Sequence, residues 1–119
     1  FYIDRAQIAA AQKNYKSALK DLDIVLEEEP GYVDALVFRA SAKRQLNQRD
    51  SAAVDIGHAL AKNEDHLEGL LERGMLRRLL NDISGARSDW LKIINLAPDS
   101  ETARFAREKI QNMDGAKNR

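Results

Sequence analysis

Apolar positions fall three and four residues apart along most of the chain, the spacing of one face of a helix. Leu67, Leu70, Leu71, Met75, Leu76, Leu79 and Leu80 make one such face, and Asn81 and Asp82 interrupt it. Asn81 tolerates the left-handed backbone that closes a helix, and Asn47 stands in the same place 34 residues earlier. Asp82 or Ser84 can cap the helix that follows. Ala86, Trp90, Ile93, Ile94 and Leu96 carry its buried face until Pro98 stops it. The pattern predicts helices near 1–13, 16–28, 33–46, 50–62, 66–80, 84–96 and 100–112.

The same pattern recurs with a fixed period. Pro30 and Pro98 lie twice 34 residues apart, with Glu64 midway. Columns spaced by 34 hold Arg5, Arg39 and Arg73; Ala6, Ala40 and Gly74; Ala18, Ala52 and Ala86; Asp21, Asp55 and Asp89; and Leu26, Leu60 and Ile94. Five columns in one register over three copies are the signature of a helix–turn–helix solenoid. A single hairpin cannot bury both of its faces, so neighbours must stack.

These columns resemble the tetratricopeptide repeat (TPR), in the style of bacterial arrays with an arginine before the small position and an aspartate in the second helix. That family has small residues at its eighth and twentieth positions, here Ala6, Ala40 and Gly74, then Ala18, Ala52 and Ala86. Its large apolar fourth position is Tyr2, Leu36 and Leu70 here, and its twenty-fourth is Leu22, Ile56 and Trp90. The chain departs from the pattern where leucine is usual at the seventh position, which is arginine in all three copies. It departs again at the eleventh, where tyrosine is replaced by Ala9, Lys43 and Arg77.

The resemblance implies an all-α fold: an α-solenoid of three 34-residue helix–turn–helix repeats with a C-terminal capping helix, wound as a right-handed superhelix. It implies one domain over 1–119. Repeat one spans about 1–32 with its first helix cut short, repeat two about 33–66 and repeat three about 67–100. The capping helix spans about 100–113, and 114–119 form a flexible tail. The chain begins at Phe1 and is expected to be a piece of a longer protein.

An arginine near a helix seam needs a carboxylate, because an unpaired buried charge is costly. Arg5, Arg39 and Arg73 are therefore expected to pair with Asp21, Asp55 and Asp89 as a structural ladder. Gly74 is expected to sit where two helices approach closely, so that leucine there destabilises while alanine is tolerated or stabilising. Leu76 and Leu80 are expected to face the hairpin core.

Composition narrows the chemistry. Nineteen basic and nineteen acidic residues give no net charge, which argues against nucleic acid as the partner. There is no cysteine, so disulfides, thiol nucleophiles and thiolate metal sites are excluded. His58 and His66 fall on different helices without metal-ligand spacing and read as partly exposed surface residues. The glycines make no phosphate cradle, and no nucleophile motif occurs. No catalytic residue, cofactor or metal is expected. No apolar run reaches the ~20 residues of a membrane span, and the protein is expected to be soluble, in cytoplasm or periplasm.

By the resemblance, the first helices of the hairpins line a concave groove that binds a protein or peptide without catalysis. The partner-binding residues are then Gln7; Val37, Ser41, Arg44 and Gln45; and Leu71, Met75, Arg78 and Leu79. Arg44 and Arg78 have two readings. They complement helix C-terminal dipoles, or they also bind acidic side chains of a peptide. In relatives that hold chaperone C-terminal tails, the clamp positions correspond to Ile3, Gln7, Phe38, Glu68 and Glu72 here. The lysines, asparagines and arginine of that clamp are missing, so such tails are not expected as partners. The alternatives are an oligomerisation or assembly module, self-associating through exposed repeat ends, and an accessory domain of a larger protein.

Overall fold

The computed structural model describes residues 1–117, all in helices and their connections, with no strand among them. The helices group into two compact units, residues 1–64 and residues from 65 onward. The division falls after Glu64, which stands where the recurring proline would be. The first unit holds α1 (Tyr2–Ala11), α2 (Tyr15–Glu28), α3 (Val33–Gln45) and α4 (Arg49–Lys62). It consists of two hairpins, α1/α2 and α3/α4, joined by the packing of α2 on α3. The second unit holds α5 (Leu67–Leu79), α6 (Ile83–Leu96) and α7 (Glu101–Lys117), with α7 laid on the α5/α6 hairpin. No helix among the described residues is long and apolar enough to cross a membrane.

One turn closes the first helix of every hairpin. Lys13, Asn47 and Asn81 have φ of 62°, 63° and 67°. The next residue's N–H reaches back to Ala9, Lys43 and Arg77 carbonyls at 2.8, 2.8 and 2.7 Å, the closure that satisfies orphan helix-end carbonyls. Two of these turns were legible from asparagine. The third carries a lysine, and only the 34-residue column betrays it. The following helices start on side-chain caps where the residue allows one: Asn14 Oδ1 accepts from Ser17 N (3.4 Å), and Asp82 Oδ1 from Gly85 N (2.9 Å). His66, expected as a surface histidine, caps α5, its Nδ1 accepting from Gly69 N at 3.0 Å.

The repeating apolar columns form the cores. Ala18, Ala52 and Ala86 are buried, as are Leu22, Ile56 and Trp90. Gly74 lies against Trp90, and a methyl added there would come within 2.3 Å of the indole Nε1 and 2.7 Å of Cε2. Alanine at 74 is therefore not tolerated without displacing a fully buried indole, contrary to the expectation from the small column alone. In the first two copies the matching positions combine Ala6 with Leu22 and Ala40 with Ile56; only the third combines glycine with tryptophan.

Two further expectations change. Leu80 is 50% exposed, because it follows the last helical residue and its side chain leaves the hairpin core at the turn. Residues 114–117, expected in a tail, are helical. Asp114 pairs with Arg87 of α6 (Nη1–Oδ2 3.2 Å, with a second, shorter contact), which ties the last turns of α7 down. The remainder of the expected tail, 118–119, lies outside the described residues.

Candidate interaction surface

The arginine and aspartate columns meet within each hairpin. Arg5 Nε and Nη2 donate to Asp21 at 2.8 and 2.6 Å, Arg39 to Asp55 at 2.8 and 2.8 Å, and Arg73 to Asp89 at 3.0 and 2.8 Å. The three aspartates are buried, so each bidentate fork satisfies a carboxylate cut off from water. The departures at the eleventh position join the same sites. Lys43 Nζ lies 2.8 Å from Asp55, and Arg77 Nη1 donates to Asp89 at 3.0 Å. Ala9 occupies the position in the first copy and contributes no cation. Arg39 also donates through Nη1 to Asp23 on α2 at 3.1 Å, linking the two hairpins of the first unit. The hydrogen bond from Arg5 holds the Asp21 carboxyl below its ordinary value. Burial pushes Asp55 upward, but the bonds from Arg39 and Lys43 outweigh it and hold it low.

This ladder engages the Nε and Nη2 donors of all three arginines. The expected partner-facing residues lie elsewhere on the first helices, and the two units present different sets. In the first unit a hollow of about 60 Å³ opens between α1, α2 and α3. Gln7 and Ser41 flank it, over an apolar lining that includes Ala6, Leu22 and Phe38. Gln45 is exposed and Arg44 half-buried. Val37, expected on the same surface, is only 3% exposed. The packing explains this: α3 is flanked by α1, α2 and α4, so its buried surface is wider than a single stripe and takes in Val37.

In the second unit, Leu71, Met75, Arg78 and Leu79 follow one another along α5 at helical spacing. Leu71 and Met75 are half-buried, and Leu79 is 44% exposed. Trp90 Nε1 donates to the Leu71 carbonyl at 3.3 Å and fixes the backbone beneath the strip. Arg78 stands at the end of the strip and has no ion-pair partner among the described residues. The arrangement offers apolar contact beside a cation.

Known structures share this arrangement of helices. The first TPR domain of Spaghetti (RPAP3), solved bound to the HSP90 peptide SRMEEVD, superposes with a TM-score of 0.80 over 96% of this chain and 90% of that one, at 22% identity. The chain folds as a tetratricopeptide-repeat domain. The TPR domain of Sgt2 from Aspergillus fumigatus gives a TM-score of 0.81 at 22% identity, covering 98% of this chain and 79% of that one. The second TPR domain of human RPAP3, in complex with the HSP70 peptide SGPTIEEVD, gives 0.76 at 19% identity, covering 92% of each chain. Human sperm-associated antigen 1 is 37% identical over 65 residues, which is 55% of this chain. The chain spans only 7% of the length of that relative. No protein-family model matches the chain.

These neighbours overturn the exclusion of chaperone tails. Two TPR domains of the same fold hold HSP90 and HSP70 peptides. The exclusion rested on five side chains alone. Main-chain hydrogen bonds and pockets for side chains also hold peptides, so missing clamp residues do not by themselves reject one.

Proposed function

We propose that this TPR domain is a non-catalytic interaction module that holds an acidic peptide segment of a partner protein, with the first helices of its first unit as the main contact. The observation that carries the reading is the apolar hollow flanked by Gln7 and Ser41. Its 60 Å³ matches an apolar group about the size of two waters, and two polar side chains at its rim can bond a peptide backbone. A second contact set is offered by Leu71, Met75 and Leu79, where methionine adapts to varied side chains. Arg44 and Arg78 supply the attraction for acidic residues. The peptides SRMEEVD and SGPTIEEVD, held by neighbours of the same fold, are acidic, and are the first probes to use.

Titration of the whole chain with each peptide tests this. Gln7→Trp, which fills the hollow from an exposed position, should weaken binding tenfold or more. Arg44→Ala with Arg78→Ala should weaken it about 5–20-fold, on the order of 1–2 kcal/mol, and flatten its salt dependence. Binding that ignores both changes sinks the proposal.

A further inference from the structure

The outer side of α2 carries a charge order that its sister helices lack. Lys16, Lys20, Asp23 and Glu27 are all exposed. They stand four, three and four residues apart, the spacing of one straight stripe along a helix. Along the stripe the signs run plus, plus, minus, minus. The matching positions are Asp50, Val54, Gly57 and Ala61 on α4 and Ser84, Ser88, Leu91 and Asn95 on α6, so the repeat fold does not require the pattern.

The order is unfavourable for the helix that bears it. Lys16 and Lys20 are like charges one turn apart, and both lie toward the positive end of the helix dipole. Glu27 and Glu28 close the negative end. α4 has the opposite, favourable arrangement, with Asp50 in its first turn and Lys62 in its last. Among the described residues, Lys16, Lys20 and Glu27 make no ion pair or hydrogen bond that would offset the reversal. Asp23 gives Oδ1 to Arg39 and keeps Oδ2 for another donor. A local rule broken without compensation inside the chain points to a use outside it.

What complements the stripe is the stripe itself. Two copies of α2 laid antiparallel about a twofold axis bring Lys16 opposite Glu27 and Lys20 opposite Asp23, and the symmetry repeats both pairs. Both pairings share one centre, between residues 21 and 22. Half-buried Ile24 flanks the stripe on the side where it covers the aliphatic stem of the other copy's Lys20. Parallel copies would set like charges face to face. We infer that this chain self-associates as a weak antiparallel dimer through the outer faces of α2. The contact lies away from the Gln7–Ser41 hollow, which takes Tyr15, Ala18 and Leu22 from the inner side of α2, and it does not rest on the peptide reading.

Sedimentation velocity of the whole chain over a concentration range, at low and at high salt, tests this. The expected result is a monomer–dimer equilibrium that weakens as salt rises. Lys16→Glu and Glu27→Lys should each weaken association about fivefold or more, because each sets two like-charged pairs across the axis. The double variant Lys16→Glu with Glu27→Lys again faces opposite charges and should associate within about twofold of the wild type. Both residues are exposed, so all three variants should keep the helicity of the wild type by circular dichroism. A chain that stays monomeric at millimolar concentration in low salt overturns the inference. So do single variants that associate as the wild type does, or a double variant that stays dissociated.

Discussion

The Cα of Gly74 lies so close to the Trp90 indole that a Cβ would stand 2.3 Å from its Nε1. The third hairpin has exchanged the alanine and mid-sized apolar residue of its sister copies for glycine and tryptophan. The two positions form one packing unit, and the extra ring volume is accommodated by the missing methyl.

Gly74→Ala should therefore destabilise, although alanine gains ~1 kcal/mol of helix propensity over glycine. Overpacking of this kind costs about 1–3 kcal/mol. Trp90→Leu alone should cost about 3 kcal/mol through the cavity it leaves. Combined, the two changes restore the pairing of the first copy, so the double variant should be more stable than the sum of the singles by at least about 0.5 kcal/mol. Urea unfolding of the four proteins measures this. Additive effects, or a stabilising Gly74→Ala, would show that the indole has room to move.

Asp55 is buried between Arg39 and Lys43, and removing its charge leaves two cations without their partner. Asp55→Asn should cost about 2–3 kcal/mol. The pH dependence has a definite sign. Asp55 and Asp21 both titrate below the ordinary 3.8 in the folded chain. Their contribution is present in full above that value and is lost as pH falls from 3.8 through the lower folded values. The wild-type chain should lose stability in that window, and Asp55→Asn should lose less. A variant that tracks the wild type across the acid range would contradict this account of the ladder.

Lys13 holds a left-handed conformation that costs a residue with a β-carbon about 1–2 kcal/mol. Lys13→Gly should raise stability by about 0.5–1 kcal/mol, after the greater chain entropy of glycine is subtracted. Asn47→Gly should change it less, since asparagine already tolerates the geometry. Thermal unfolding of both variants checks the order.

How much was legible depended on whether a feature repeats. The 34-residue columns carried the helix order, the small positions and the arginine–aspartate pairs, because each copy faces the same packing problem. Features unique to one copy escaped. Gly74 read as one more small residue, since the column says nothing of the ring opposite it. Lys43 and Arg77 read as departures from the family pattern, and their role appeared only when both reached a buried aspartate. Val37 was placed on an open surface by the family resemblance, but a helix with neighbours on several sides buries more than one stripe. The chaperone-tail exclusion weighed five side chains alone, and domains of the same fold that hold HSP90 and HSP70 peptides overturn it.

The central claim is that the first helices bind acidic peptide, in the first unit at the hollow beside Gln7 and in the second at the α5 strip. The most direct measurement is an amide NMR titration of the whole chain with SRMEEVD and with a version whose two glutamates are glutamine. The account predicts saturable shifts at Gln7, Ala10 and Ser41 and at Leu71, Met75 and Leu79, with weaker binding of the glutamine peptide at every salt concentration. Absence of binding at millimolar peptide, or shifts confined to the second helices of the hairpins, would contradict it.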